Sequence, residues 1–131
     1  MSDESFDINA AVAHLNNHSS SHPNHYCARA IRHALAAGGI ELNRYPADAK
    51  DYGQTLLSNG FVRVTGGDMY LAKKGDIAVI QPYSGGSLAG HITMYNGIQW
   101  VSDFKQTDMW SGPGYRKHKP AFQVFRWQSE Q

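Results

Sequence analysis

Residues 25–35 of the chain read HYCARAIRHAL. The small and apolar residues of this stretch recur at the spacing of one helix face: Cys27, Ala30, Ile31, Ala34 and Leu35. The pattern predicts a helix over residues 25–37, capped by Asn24 and ended by Gly38-Gly39. It therefore places the single cysteine of the chain in the first turn, on the face that packs against the rest of the protein.

A cysteine in the first turn of a helix is placed to act as a nucleophile. The positive end of the helix dipole and the unpaired backbone N–H groups favour a thiolate over a thiol, so we expect the pKa of Cys27 to be depressed. The same N–H groups can receive the oxyanion of a tetrahedral intermediate. The alternative is an inert core cysteine, since free cysteine is among the most buried residue types.

The composition describes one soluble domain spanning residues 1–131. A chain of 131 residues with 41% hydrophobic residues can bury a core without disulfides, and one cysteine forms no intrachain disulfide. The net charge of +1 favours neither nucleic acid nor an anionic membrane, and no apolar run could span a bilayer. The N-terminal residues MSDES lack the features of a Sec signal. We therefore expect a monomer that is made in the cytoplasm.

The predicted elements are helices first and strands after. Helices are predicted over 8–17, with Asp7 as N-cap, over 25–37 and over 47–58. Strands are predicted over 61–64, 77–81, 91–95, 98–103 and 122–127. This order predicts an α+β fold in which N-terminal helices pack on an antiparallel sheet.

A cysteine nucleophile needs a base within hydrogen-bond reach of its sulfur. Of seven histidines, five lie in or around the first two predicted helices, and His118 lies in a basic loop. His91 instead begins a strand, after Gly90 and the flexible loop 83–87. A strand that starts beside the helix N-terminus can hold a rigid base across a cleft, so His91 is the candidate base.

Two further motifs follow the cysteine helix, KGDIAVI at 74–80 and GHITMY at 90–95. Over residues 26–104 this ordered set resembles the CHAP and NlpC-type group of papain-like peptidoglycan hydrolases. The resemblance implies a papain-like domain in which a Gly-Asp turn begins the first core strand and a Gly-His pair begins the second. It also implies Cys27 as nucleophile, His91 as general base and then acid, and Asp103 as the residue that orients the imidazole. No cofactor is implied.

The third catalytic residue depends on the hairpin after His91. A two-residue turn at Asn96-Gly97 would place Ser102 opposite His91, whereas a loop one residue longer, or a bulge, would place Asp103 there. We prefer Asp103, because a carboxylate both selects the tautomer and stabilises the imidazolium. Ser102 stays the alternative.

The resemblance further implies the reaction and its setting. It implies a thiol hydrolase that cleaves amides in the stem peptides of bacterial peptidoglycan through an acyl-enzyme. A type VI secretion amidase effector and a phage endolysin are the two contexts, and both reach the periplasm or cell wall by other machinery. An effector would also have a cognate immunity protein. Three aromatic residues are candidate substrate contacts: Tyr26 beside the nucleophile, and Trp110 and Tyr115 in the Gly/Pro-rich segment 109–115.

Two other functions remain open from the residues alone. One is a papain-like hydrolase or acyltransferase acting on a protein or lipid, because a fold does not determine a substrate. The other is a metal-binding module built from clustered residues: His14, His18, His22, His25 and Cys27. No carboxylate or second cysteine completes a compact site, so we predict no metal.

Overall fold

The computed structural model describes residues 5–65 and 67–128, so most of the N-terminal segment Met1–Ser5 lies outside the described residues. Four α-helices lie in the described residues: α1 (Ile8–His18), α2 (Cys27–Ala37), α3 (Tyr52–Leu57) and α4 (Pro113–His118). A 3₁₀ turn, Ala49–Asp51, precedes α3, and a second one spans Gly67–Met69. None of the helices in the described part of the chain is long and apolar enough to cross a membrane.

The strands form one five-stranded antiparallel sheet: β1 (Phe61–Val64), β2 (Ile77–Ile80), β3 (His91–Tyr95), β4 (Trp100–Val101) and β5 (Phe122–Trp127). The strand order is β1-β5-β2-β3-β4, so the last strand along the chain lies between β1 and β2. Helices first and an antiparallel sheet after confirm the predicted α+β fold. Strands β1, β3 and β5 have the predicted bounds.

The apolar stripe of α2 packs into the main core. Ile31, Ala34 and Leu35 are completely buried, together with Leu15 of α1 and Ile92 of β3. Since α2 lies against β3, the first residues of these two elements are held on the same side of the protein. Burial of the stripe therefore positions Cys27 relative to His91.

The start of α2 differs from the prediction. The helix begins at Cys27, with Tyr26 as N-cap, and Asn24 does not cap it. His25 adopts a left-handed backbone with φ 68°, and the N–H groups of Asn24 and Tyr26 donate to the Asp103 carboxylate. The helix starts later because this distant acceptor holds residues 24–26 in a non-helical conformation.

The predicted helix over 47–58 is shorter than expected, and α4 was not predicted at all. The first part of 47–58 is the 3₁₀ turn, and the α-helix proper begins at Tyr52. In α4, Pro113 occupies the first turn, where its fixed φ suits a helix and its missing N–H costs nothing. The Gly-Pro-Gly sequence at 112–114 had indicated a loop.

The hairpin between β3 and β4 has neither of the predicted registers. Tyr95 pairs with Trp100, so the loop holds four residues, 96–99. The side chain of Asn96 closes this loop by accepting the N–H groups of Ile98 and Gln99. An Asx turn of this kind competes with the two-residue turn expected from Asn-Gly.

The predicted strand over 98–103 shortens to Trp100–Val101, because the chain then reverses. The N–H of Ser102 donates to the carbonyl of Phe104, and that of Gln106 donates to the carbonyl of Trp100. Ser102 and Asp103 therefore lie in a turn rather than in a strand. The reversal carries Gln106 back beside the sheet.

Asp76, in the Gly-Asp turn before β2, anchors this turn to β5. Its carboxylate is completely buried and receives Arg126 Nε at 2.7 Å and Nη2 at 2.8 Å, as well as the Tyr70 hydroxyl at 2.7 Å. The backbone N–H of Lys73 donates to the same carboxylate at 3.0 Å. Asp76 of the Gly-Asp motif thus has a structural role, because its contacts hold the turn before β2 against β5.

Replacing Asp76 by alanine should lower the free energy of unfolding by about 3 kcal/mol, because it leaves partners of a buried carboxylate without an acceptor. The measurement is urea denaturation followed by tryptophan fluorescence. The control is Asp51→Ala, which removes an exposed ion pair to Lys50 and should cost less than about 1 kcal/mol. Equal losses in the two variants would contradict an anchoring role for Asp76.

Candidate active site

Cys27 lies at the start of α2, half-buried, where α2 meets β3. The backbone N–H of Ile92, the second residue of β3, lies close enough to the sulfur to lower the pKa of the thiol. The thiol therefore lies beside the residue that follows His91 in the sequence. The predicted nucleophile and the predicted base thus each begin one of two elements that pack against each other.

Gly90 determines how β3 begins. Its φ is +72°, and a Cβ at this position would collide with the carbonyl oxygen of Ile80, which ends β2. His91 pairs directly with Ile80. Only glycine lets the chain pass this close to β2, and this is the physical reason for the Gly-His pair.

His91 is buried, with 7% of its surface exposed, and its ring orientation is determined by Gln106. The Nε2 atom of His91 lies 2.7 Å from Gln106 Oε1. The amide nitrogen of Gln106 donates to the carbonyls of Asp108 and Met109, at 2.9 and 3.1 Å, which leaves Oε1 facing the imidazole. An amide oxygen can only accept, so Nε2 carries the proton and Nδ1 of the neutral ring is the basic nitrogen.

Gln106 is the neighbour of His91 in the candidate site that sequence reasoning missed. It belongs to no motif, and neither predicted register of the hairpin brings it near His91. The only sequence signal is a polar residue that turns out to be buried, with 2% of its surface exposed. Its position depends on the chain reversal at residues 102–105.

Asp103 contacts the start of α2 instead of the imidazole. Its Oδ2 accepts the N–H of Asn24 at 2.6 Å and that of Tyr26 at 3.4 Å. The Ser102 hydroxyl lies 3.0 Å from Asp103 Oδ1 and 2.9 Å from Gln106 Oε1. The direct hydrogen bond to His91 that we expected from Asp103, or alternatively from Ser102, is thus made by Gln106. Both predicted residues lie next to it in the same network.

The electrostatics of the site favour a neutral thiol beside a neutral imidazole. Burial raises the pKa of the Cys27 thiol; the N–H of Ile92 lowers that pKa, and the negative charge of Asp103 raises it further. Burial lowers the pKa of His91, against the hydrogen bond to Gln106 and the charge of Asp103, which raise it. The predicted depression of the thiol pKa is wrong, because loss of water around the sulfur outweighs the N–H groups.

The three candidate substrate contacts occupy different places. Tyr26 is half exposed beside Cys27, and the Arg29 guanidinium lies 4.0 Å from its ring centre. Tyr115 lies in α4, with its ring 6.0 Å from that of His91. The ring of Trp110 packs edge-to-face on Phe122 of β5.

The hydroxyl of Tyr115 is buried and has no hydrogen-bond partner within residues 5–65 and 67–128. Burial, followed by the neighbouring Cys27 and Tyr83, raises the pKa of Tyr115 to about 12. The hydroxyl therefore keeps its proton at neutral pH and can donate it. A buried donor without an acceptor is unusual in a folded protein.

The histidine cluster does not form a metal site. His14 and His18 stack with ring centres 3.9 Å apart. Within the described residues, no three histidine, cysteine, aspartate or glutamate side chains are arranged to hold a metal ion. The metal-binding alternative therefore has no structural support.

Comparison with solved structures gives two closely similar folds. The crystal structure of the type VI native effector-immunity complex Tae3-Tai3 from Ralstonia pickettii matches with a TM-score of 0.83 and 36% identity, over 94% of this chain and 100% of that chain. The SeMet effector-immunity complex Tae3-Tai3 from the same organism matches with a TM-score of 0.79 and 38% identity, over 88% and 98%. No protein-family model matches the chain, and no curated protein does.

Iodoacetamide should alkylate Cys27 slowly at neutral pH, and the rate should still rise above pH 9.0, the ordinary pKa of a thiol, because burial raises this pKa. Asp103→Asn should move the rate profile to lower pH, because it removes a charge that raises the thiol pKa. The control is Asp108→Asn, whose carboxylate pairs with Arg116. Rapid alkylation of the wild type at pH 7 would contradict the neutral thiol.

Substitutions of Gln106 should move the pKa of His91 in opposite directions. Gln106→Leu should lower it, because the acceptor that raises it is lost, and Gln106→Glu should raise it, because the acceptor gains a negative charge. The measurement is an NMR titration of the His91 ring. The exposed Gln54→Leu serves as control. Identical titration curves in all variants would exclude the hydrogen bond.

Proposed function

The chain belongs to the Tae3 family of type VI effectors, and we propose from this that it is an antibacterial amidase that cleaves amide bonds in peptidoglycan stem peptides. The observation that supports the proposal is a buried His91 whose tautomer is set by Gln106, at the start of the strand β3 against which α2 packs with Cys27 as its first residue. A neutral imidazole with a basic Nδ1 is the form that can accept a thiol proton. We propose one papain-like cysteine hydrolase domain, related to the CHAP and NlpC-type group.

The proposed reaction begins with proton transfer from the Cys27 sulfur to Nδ1 of His91 as the sulfur attacks the amide carbonyl carbon. The oxyanion of the tetrahedral intermediate faces the backbone N–H groups at the start of α2. The C–N bond then breaks, and His91 returns the proton to the leaving amine. Water, deprotonated by His91, hydrolyses the thioester, and the sulfur recovers its proton.

In this proposal, Asp103 and Gln106 have separate tasks. Gln106 orients the ring of His91 through a direct hydrogen bond. Asp103 keeps its catalytic importance through its charge, which raises the pKa of His91, and through its bonds to the residues that precede Cys27. Ser102 connects the two side chains. The imidazolium formed during the reaction is thus stabilised without a direct carboxylate contact.

Substrate contacts are proposed for three aromatic residues. The unpartnered hydroxyl of Tyr115 would donate to a substrate oxygen next to His91. Tyr26, half exposed beside the nucleophile, would cover the peptide. Trp110, which precedes α4 and packs on Phe122 of β5, would contact a more distant part of the wall polymer.

The setting of the reaction follows from family membership. Both similar structures are effector-immunity complexes, which supports a cognate immunity protein for this chain. We propose that the protein is made in the cytoplasm, is delivered by a type VI secretion system and acts on the cell wall of a competing bacterium. An endolysin role has no such support.

Purified sacculi digested with the wild type should release peptide fragments identifiable by mass spectrometry, and Cys27→Ala should release none, because the nucleophile is lost. His91→Ala should lower the rate by ~10²–10⁴-fold, the usual contribution of a general base. The matched control is His25→Asn, since asparagine tolerates the left-handed backbone at this position and His25 has no role in the reaction.

Melting temperatures of all variants have to be measured alongside the rates. Cys27→Ala should keep the wild-type melting temperature, because a small half-buried side chain is replaced by one of similar size. Fragment release by Cys27→Ala at the wild-type rate would refute the thiol mechanism.

A further inference from the structure

A cavity of about 200 Å³ lies between α1, α2 and the segment that joins them, and its three histidines take no part in the proposed reaction. Six of its lining residues matter here: His14, His18, Tyr26, Arg29, His33 and Asp103. We call it the histidine pocket. Its volume is below that of a site for a whole drug-sized ligand, so it suits one functional group of a larger molecule.

The three imidazoles of the histidine pocket belong to different turns of two packed helices. The rings of His14 and His18 stack 3.9 Å apart, and the His33 ring stands at 89° to His14 with centres 6.5 Å apart. His18 Nδ1 lies 2.8 Å from the carbonyl oxygen of His14, so its other nitrogen is the one left for a ligand. The rings are placed by the helix backbones and by each other.

The charges around the pocket favour an anion. After burial, the neighbouring His18 and His33 lower the pKa of His14, so an anion in the pocket would favour the protonated form of His14. Arg29 adds a permanent positive charge from α2. The one carboxylate in the lining, Asp103, already accepts the N–H groups of Asn24 and Tyr26.

The pocket includes residues of the N-terminal turn of α2, although Cys27 itself is not part of its lining. Tyr26 precedes Cys27, and Ala30, which lines the pocket as well, follows it by one helical turn. A peptide whose scissile amide reaches the sulfur would therefore have a neighbouring group near the imidazoles. Stem peptides of peptidoglycan carry free carboxyl groups on isoglutamate and diaminopimelate residues.

We propose that the histidine pocket binds a free carboxylate of the stem peptide beside the scissile amide, and so selects anionic over amidated peptidoglycan. This inference rests on the proposed function. Protonated imidazoles donate charge-assisted hydrogen bonds to the carboxylate, and Arg29 contributes at every pH. Binding should therefore be stronger below the ordinary histidine pKa of 6.5 than above it.

The test uses the inactive Cys27→Ala protein and two synthetic stem peptides, one with free carboxylates and one with the same carboxylates amidated. Binding is measured by calorimetry at pH 6 and at pH 8. At pH 6, the Kd of the free-acid peptide should be about tenfold lower than that of the amidated peptide, which is the effect of one charge-assisted hydrogen bond. The difference should shrink at pH 8. Adding His14→Gln and His33→Gln should reduce the preference at pH 6 to the level seen at pH 8, which leaves only the contribution of Arg29.

The matched control is His22→Gln, an exposed histidine that does not line the pocket, and it should keep the preference. Equal affinity of the Cys27→Ala protein for both peptides, or an unchanged preference after the double histidine substitution, would overturn the proposal. The melting temperature of the double variant verifies folding. Because binding is measured without cleavage, this failure is distinct from fragment release by Cys27→Ala, which would overturn the proposed function alone.

Discussion

The arrangement of the site depends on the hydrogen bonds that the Asp103 carboxylate accepts. It joins the turn after β4 to residues 24–26, and the N–H of Ser20 donates to the backbone carbonyl of the same residue at 3.0 Å. These bonds delay the start of α2 until Cys27, so that the thiol becomes the first helical residue. The same carboxylate raises the pKa values of both Cys27 and His91. One side chain therefore influences where the nucleophile lies and in which protonation state the pair rests.

If the Cys27 thiol and the His91 imidazole are both neutral at rest, the proposed attack on the amide requires a proton transfer between them. An ion pair would present a thiolate at once, whereas in the reaction proposed above the proton has to move to His91 while the sulfur approaches the carbonyl carbon. The tautomer of His91 is then decisive, because only a deprotonated Nδ1 can accept that proton. Gln106 ensures this, and its own orientation depends on two backbone carbonyls rather than on other side chains.

Much of the fold could be predicted from the sequence because its strongest patterns are local. The strand bounds 61–64, 91–95 and 122–127 and the Asp7 cap of α1 follow from alternation and capping chemistry, and the structure has them as predicted. Helix α4 and the shape of the hairpin after β3 could not be predicted, since competing turn signals decided them.

The candidate site was predictable only in part. The positions of Cys27 and His91 near the starts of α2 and β3 could be predicted, because element starts can be located in a sequence. Gln106 was missed because its position depends on a chain reversal with no marker. The sign of the thiol pKa shift was missed because burial of a sulfur depends on tertiary packing.

The position of β5 has a consequence for biosynthesis. This strand comes last along the chain but separates β1 from β2 in the sheet. On the ribosome, β1 therefore has no strand partner until residue 127 has emerged, and β2 lacks one of its two neighbours. The core that holds α2 against β3 is incomplete for most of translation. A nascent chain would thus carry Cys27 and His91 before the packing of α2 against β3 is complete.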